Sequence, residues 1–133
     1  MKTKIILSSC EVKKIISAAE NYAVKNNFKV TIAVVDDGGH LLGMSRMDDA
    51  PAISSYIAPA KAKTSALARR DSKVYEDIIN NGRYSFLSAP NLEGMLEGGV
   101  PIILDGNVVG GIGVSGAKSD EDVDIARAGL LSL

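Results

Sequence analysis

The segment "VTIAVV", Val30 to Val35, is apolar on both of its alternating sets of side chains. Val30, Ile32 and Val34 form one set, and Thr31, Ala33 and Val35 the other. Strand side chains alternate between two faces, so a strand apolar on both must be covered on both. A second stretch, "NVVGGIGV" at Asn107–Val114, is apolar or glycine throughout. Two such strands require a sheet with helices on each side. The expected class is therefore α/β, in three layers, α/β/α.

The other elements follow from local signals. Ser8 and Glu11 make an S-x-x-E capping pattern. Behind it Val12, Ile15, Ile16, Ala19 and Ala23 recur at helical spacing, up to Asn26-Asn27. The Asp36–Gly39 turn, whose glycines accept positive φ, leads into a second strand, His40–Met47, as a hairpin. A long helix is expected from about Ala50-Pro51, with Ile53, Tyr56, Ile57, Ala60, Thr64 and Leu67 on its buried face. Pro59, inside that stretch, should kink or split it. A shorter helix over Ser72–Ile79 should end at Asn80-Asn81-Gly82. Arg83–Glu97 reads as irregular, with one short strand around Met95. Val100–Leu104 and Asn107–Val114 are strands joined by Asp105-Gly106, a type I′ signal. Ser119, ahead of Asp120, Glu121 and Asp122, opens the last helix. The order is α-β-β-α-α-β-β-β-α, and its tight turns make the sheet mostly antiparallel.

Composition narrows the function. With 133 residues, 46% hydrophobic and 23% charged, the chain reads as one ordered domain spanning residues 1–133. Fifteen basic against sixteen acidic residues give a net charge of −1, and no basic stripe is interleaved with aromatics. Nucleic acid is not an expected partner. Cys10 is alone, so no internal disulfide forms, which fits a cytoplasmic location. The apolar run Ile5–Leu7 is too short for a secretion signal, and no run is long enough to span a membrane.

Chemical motifs are few. "GIGVSG", Gly111–Gly116, satisfies G-x-G-x-x-G, but a dinucleotide fold needs a further strand, carrying an acid, after the helix. Only helical sequence follows. The glycines read as sites of close helix packing, while the amides from Ser115 and Gly116 to Ser119 could hold an anionic group at a helix N-terminus. The acids of that helix compete for the same amides. The acidic clusters lack the spacing of a calcium loop, so no metal is expected. Cys10 has no partner in a CxxC pattern and reads as inert. No GxSxG, HExxH or phosphate-loop motif occurs.

His40 is the only histidine. It reads either as a rim residue bonded to Asp36 or Asp37, or as a single ligand. Strict alternation puts His40, Leu42, Met44 and Arg46 on one face, with Leu41, Gly43, Ser45 and Met47 on the other. A histidine and a methionine together suggest haem ligation. Four strand steps of ~3.3 Å separate His40 from Met44 by about 13 Å, so one iron cannot take both from one chain. A second ligand would come from another chain, from Tyr56 or Met95, or from water.

The run "VTIAVVDDGGHLLGMSRMDDAP" resembles the first signature of the GlcG/HbpS-like family, which includes the C-terminal domain of PduO-type proteins. "IAPAKAKTSALA" is similar to its alanine-rich helix, and "EGGVPIILDGNVVGGIGVSGAKSDEDVDIARAGL" to its C-terminal signature. The resemblance covers nearly the whole chain. It implies a profilin-like fold with a five-stranded antiparallel sheet, and homo-oligomers, often tetramers or octamers. It also implies a small-molecule ligand, which in some members is haem. His40 falls at the family's "GGH" position. The expected function is a small-ligand binding protein without conventional catalytic machinery, with haem or a related tetrapyrrole as the ligand. His40, Met44, Tyr56, Ser115 and Gly116 are the candidate contacts. The alternative is an enzyme or accessory subunit of glycolate-, diol- or corrinoid-type metabolism.

Overall fold

The structure, a computed structural model, describes every residue from Met1 to Leu133. Its elements are α1 (Ser9–Lys25), β1 (Thr31–Asp36), β2 (Leu41–Arg46), α2 (Ser54–Ala68), α3 (Lys73–Asn80), a 3₁₀ turn (Tyr84–Ser88), β3 (Gly99–Leu104), β4 (Asn107–Ser115) and α4 (Ser119–Leu130). The sheet has the order β2-β1-β4-β3, and every pairing is antiparallel. β1 and β4 are the interior strands, as their two-sided apolar pattern requires.

The sheet has four strands, which corrects the expectation of five. Met95 lies in irregular chain. The segment around it packs on α2 instead of extending the sheet: a Cβ on Gly94 would stand 2.5 Å from the carbonyl carbon of Ala60 and 2.6 Å from the Lys61 amide nitrogen. Pro90 and glycines 94 and 98 also make this stretch a poor strand.

Two cores flank the sheet. On one face Ile32, Val34, Ile102, Ile112 and Val114 pack with Ile15 of α1 and Ile125 of α4. On the other, Ala33 and Val35 meet Ala58, Ala62 and Ala66 of α2. The second contact is unusually close. A Cβ on Gly113 would fall 2.1 Å from the Ala58 carbonyl oxygen, and one on Gly111 2.4 Å from that of Ala62. The strand register lines up small residues beneath the helix: Gly99, Gly113 and Ala33 in one row, Pro101, Gly111 and Val35 in the next. At the β2 edge these rows end in Met44 and Leu41. Helix α2 thus lies in a trough floored by small residues, with two large side chains at its rim. The G-x-G of "GIGVSG" serves this approach and not a dinucleotide.

The trough turns the buried face of α2 away from most of the expected residues, although Thr64 is buried as expected and Ile57 and Ala60 are half-buried. Ile53, Tyr56 and Leu67 are exposed, whereas Ala58, Lys61, Ala62, Ser65 and Ala66 are buried. Only small side chains fit between this helix and the glycines below, so the large ones turn outward. Pro59 does not split the helix, which runs unbroken from Ser54 to Ala68. Its missing N–H forfeits one bond near the N-terminal end, and the close packing of Ala58 and Ala62 on the sheet holds the backbone in place.

At the turns the local signals are realised. The Ser8 amide donates to the Glu11 carboxylate at 2.9 Å, completing the box that opens α1. Asp105 and Gly106 take φ of 50° and 76°, as a type I′ hairpin requires. No helix is long and apolar enough to cross a membrane.

Candidate functional site

The β1–β2 turn is organised by one carboxylate. Asp36 Oδ1 accepts the amides of Gly38 and His40, each at 2.9 Å, and lies 3.0 Å from His40 Nδ1. Partial burial works to raise the Asp36 pKa, but the two backbone donors and the imidazole outweigh it and hold the carboxyl below its ordinary range. An ionised carboxylate only accepts, so Nδ1 must donate, and the neutral ring then carries its lone pair on Nε2. The His40 side chain is 81% exposed, which leaves Nε2 accessible. A carboxylate behind the distal nitrogen is the usual arrangement of a metal-binding histidine. The next acid, Asp37, is held below its ordinary range chiefly by a hydrogen bond from Lys4.

A β-bulge follows the histidine. Val34 pairs with Gly43 but Val35 with Leu41, so Leu42 is an extra residue. Strict alternation through β2 is therefore broken. Leu41 turns to the α2 side, with Met44, while Gly43 packs on Val12 and Ile16 of α1. Leu41, Leu42 and Met44 are all substantially exposed, on the outer edge strand of the sheet.

Between this edge, α2 and the segment before β3 lies a cleft of about 250 Å³. Val35, Leu41, Pro59 and Ala60 form its apolar wall, and Lys63, Asn91 and Glu93 its polar one. Gly39, at φ +82°, is crossed by the Lys63 stem; a Cβ there would stand 2.9 Å from Lys63 Cγ.

The remaining candidates lie elsewhere. Helix α2 begins beside Thr31, whose hydroxyl is 2.7 Å from that of Ser54, and ends beside Asp37, whose carbonyl accepts from Arg69 at 2.7 Å. Tyr56 is exposed near the first end and His40 sits near the second. From Tyr56 to Leu67 alone the helix rises about 16 Å, so one chain does not bring Tyr56 to His40. Met95 is buried. Ser115 pairs with Thr31, at the opposite end of β1 from Asp36, and a Cβ on Gly116 would stand 2.5 Å from the Lys29 carbonyl oxygen. The anion site expected at Ser115 and Gly116 is not formed. The Ala117 amide donates to Asp122 and the Lys118 amide to Glu121, each at 3.0 Å, because the helix supplies its own carboxylates. No group of three or more His, Cys, Asp or Glu side chains gathers to hold a metal.

One buried pair was not foreseen. Lys61 Nζ reaches past Gly98 to donate to Asp122 Oδ2 at 3.1 Å and to the Val114 carbonyl at 2.9 Å. Both side chains are almost fully buried. The available signal was a lysine within the small-residue stripe Ala58, Ala62, Ser65, Ala66, spaced to share its face.

Residues 7–131 match the model of a family described as haem degrading protein HbpS-like. Protein GlcG of Escherichia coli (strain K12) is 55% identical over 115 residues, which span 86% of this chain and 85% of that protein. The crystal structure of a double mutant of Streptomyces reticuli HbpS superposes with a TM-score of 0.89 at 31% identity, covering 100% of this chain and 90% of the other. That of the PduOC:heme complex does so with a TM-score of 0.88 at 29% identity, covering 97% and 96%.

Proposed function

The chain belongs to the HbpS-like family, and on that premise we propose that it binds haem or a related tetrapyrrole at the β1–β2 hairpin, with His40 as the iron ligand. The observation that carries this reading is the Asp36–His40 contact, which orients the ring and leaves Nε2 open on a hairpin that also exposes Leu41, Leu42 and Met44. A solved relative of the same fold is a haem complex, which supports the ligand class.

The residues present fit such a group in chemistry. Leu41, Leu42 and Met44 offer an apolar surface for a flat macrocycle, on the same hairpin as the open Nε2 of His40. The cleft, at about 250 Å³, is below the roughly 300–1,000 Å³ of sites that engulf a drug-sized ligand. A tetrapyrrole would therefore lie across the hairpin, and a second copy of the chain would cover its outer face. Bound haem would bring a redox-active iron; the chain's own contribution is to orient one ligand, exclude water and supply apolar contact. Assembly as a homo-oligomer, a tetramer or octamer, belongs to this proposal, because one chain offers only one histidine.

Haemin titration followed by the Soret band tests the reading, with oligomer mass measured alongside. Saturable binding whose spectrum changes in His40→Ala is the expected result. Equal affinity and an identical spectrum in that variant would remove His40 as ligand, and unsaturable uptake by the wild type would remove haem.

A further inference from the structure

Of the four cations Lys4, Arg46, Arg69 and Lys63 set about the hairpin, three are engaged. Lys4 pairs with Asp37, Arg69 donates to the carbonyls of Asp37 and Ala66, and Arg46 donates to that of Ala50. Lys63 is the exception. It is half-buried, its stem is pinned over Gly39, and it enters none of the chain's ion pairs. It lines the cleft together with Asn91, whose backbone is held at φ +61°. The segment bearing Asn91 and Glu93 is anchored by Gly94, which sits against the α2 backbone at Ala60–Lys61. The polar wall is thus built from two elements locked together at a point where no side chain fits. Glu93 lines the same cleft but stands farther than ion-pair distance from Lys63.

An unpaired ammonium on a half-buried stem, sharing a cleft with an amide and an apolar wall, is suited to a carboxylate on a short hydrocarbon stem. We propose that this cleft is a carboxylate-binding subsite, with Lys63 as its cation and Asn91 as its neutral donor. Glu93 opposes excess negative charge and so favours a single carboxylate over a polyanion. The same chemistry could come from a propionate of a tetrapyrrole lying across Leu41 or from a small free acid. Only the first source rests on the function proposed above.

The test uses the full chain, with Lys63→Gln and Glu93→Gln as variants and haemin, haemin dimethyl ester and sodium propionate as probes. If the occupant is a haem propionate, Lys63→Gln weakens haemin binding by about fivefold, the scale of one half-exposed ion pair. The dimethyl ester, which has no carboxylate, then binds both proteins alike. If the occupant is a free acid, millimolar propionate shifts the Gly39 and Asn91 amide resonances of the wild type but not those of Lys63→Gln. Glu93→Gln should tighten binding in whichever arm responds. Should neither haemin nor propionate depend on Lys63, the subsite is overturned. A loss of binding in Glu93→Gln also overturns it, because the cleft would then be reading a hydrogen-bond donor. Absence of any haemin binding by the wild type defeats the haem reading alone, and the propionate arm still decides the subsite.

Discussion

Lys61 and Asp122 belong to helices on opposite faces of the sheet, and they meet at its end with Nζ 3.1 Å from Oδ2. The pair ties the two layers through a gap that Gly98 leaves open. Removing one partner strands a buried charge, and for pairs of this kind that costs about 3–5 kcal/mol. Lys61→Met should therefore be strongly destabilised in urea unfolding. The double variant Lys61→Met, Asp122→Leu should recover most of the loss, because no charge is left in the interior.

The same pair sets a pH dependence. Burial pushes the Asp122 carboxyl up to about 6, against the pull of Lys61 and the Ala117 amide. The folded chain then holds this proton more tightly than the unfolded chain, whose aspartates titrate near ~3.9. Its contribution to stability accordingly grows as pH falls from above 6 towards 4, and is smallest at neutral pH. Glu11, Asp36 and Asp37 have lowered values, so their contributions are lost only at more acid pH. Unfolding free energies measured between pH 4 and 7 should show the Asp122 slope, and Asp122→Asn should flatten it.

Asp36 should matter to haem binding although it makes no contact with iron in the proposed arrangement. Loss of a carboxylate behind a ligating histidine lowers metal affinity by roughly 10–100-fold. Asp36→Asn is expected to weaken haemin binding within that range in a Soret titration. An unchanged affinity would show that the Asp36–His40 contact serves the turn alone.

The hairpin edge should be covered in solution. Leu42→Asp or Met44→Asp places a charge on the exposed apolar edge, and light scattering at micromolar concentration should then register a shift towards the 14.0 kDa single chain. A wild type that already runs as a single chain would refute the assembly.

Gly113→Ala tests the trough under α2. The added methyl would fall 2.1 Å from a backbone oxygen, so the helix must move. Overpacking of this kind costs about 1–3 kcal/mol. Thermal or urea unfolding should show that loss, and a neutral result would mean that α2 is free to lift.

Much of the fold was legible because short-range rules decide it. The two-sided pattern of Val30–Val35 places β1 inside the sheet, and Asp105-Gly106 has few conformations open to it. The inward face of α2 was not legible from α2. Large apolar residues ordinarily point inward, but Gly111 and Gly113, about fifty residues away, leave room only for alanine and serine. The bulge at Leu42 escaped for a related reason, since a period of two carries no marker for one extra residue. At the site, His40 was conspicuous as a lone histidine beside acids. Lys61 and Lys63 were not, because a lysine in a helix normally faces water, and only the tertiary arrangement puts one in the interior and the other on a cleft.

The trough also bears on how such a chain can change over generations. Residues 58, 62 and 66 of α2 and glycines 111 and 113 constrain one another in size, so none can drift without a matching change across the contact. Ile53 and Tyr56, exposed on the other side of the same helix, meet no such restriction. Selection can rewrite the outward surface while the inner seam stays frozen. One backbone could in that way be adapted to different ligands or partners without being refolded.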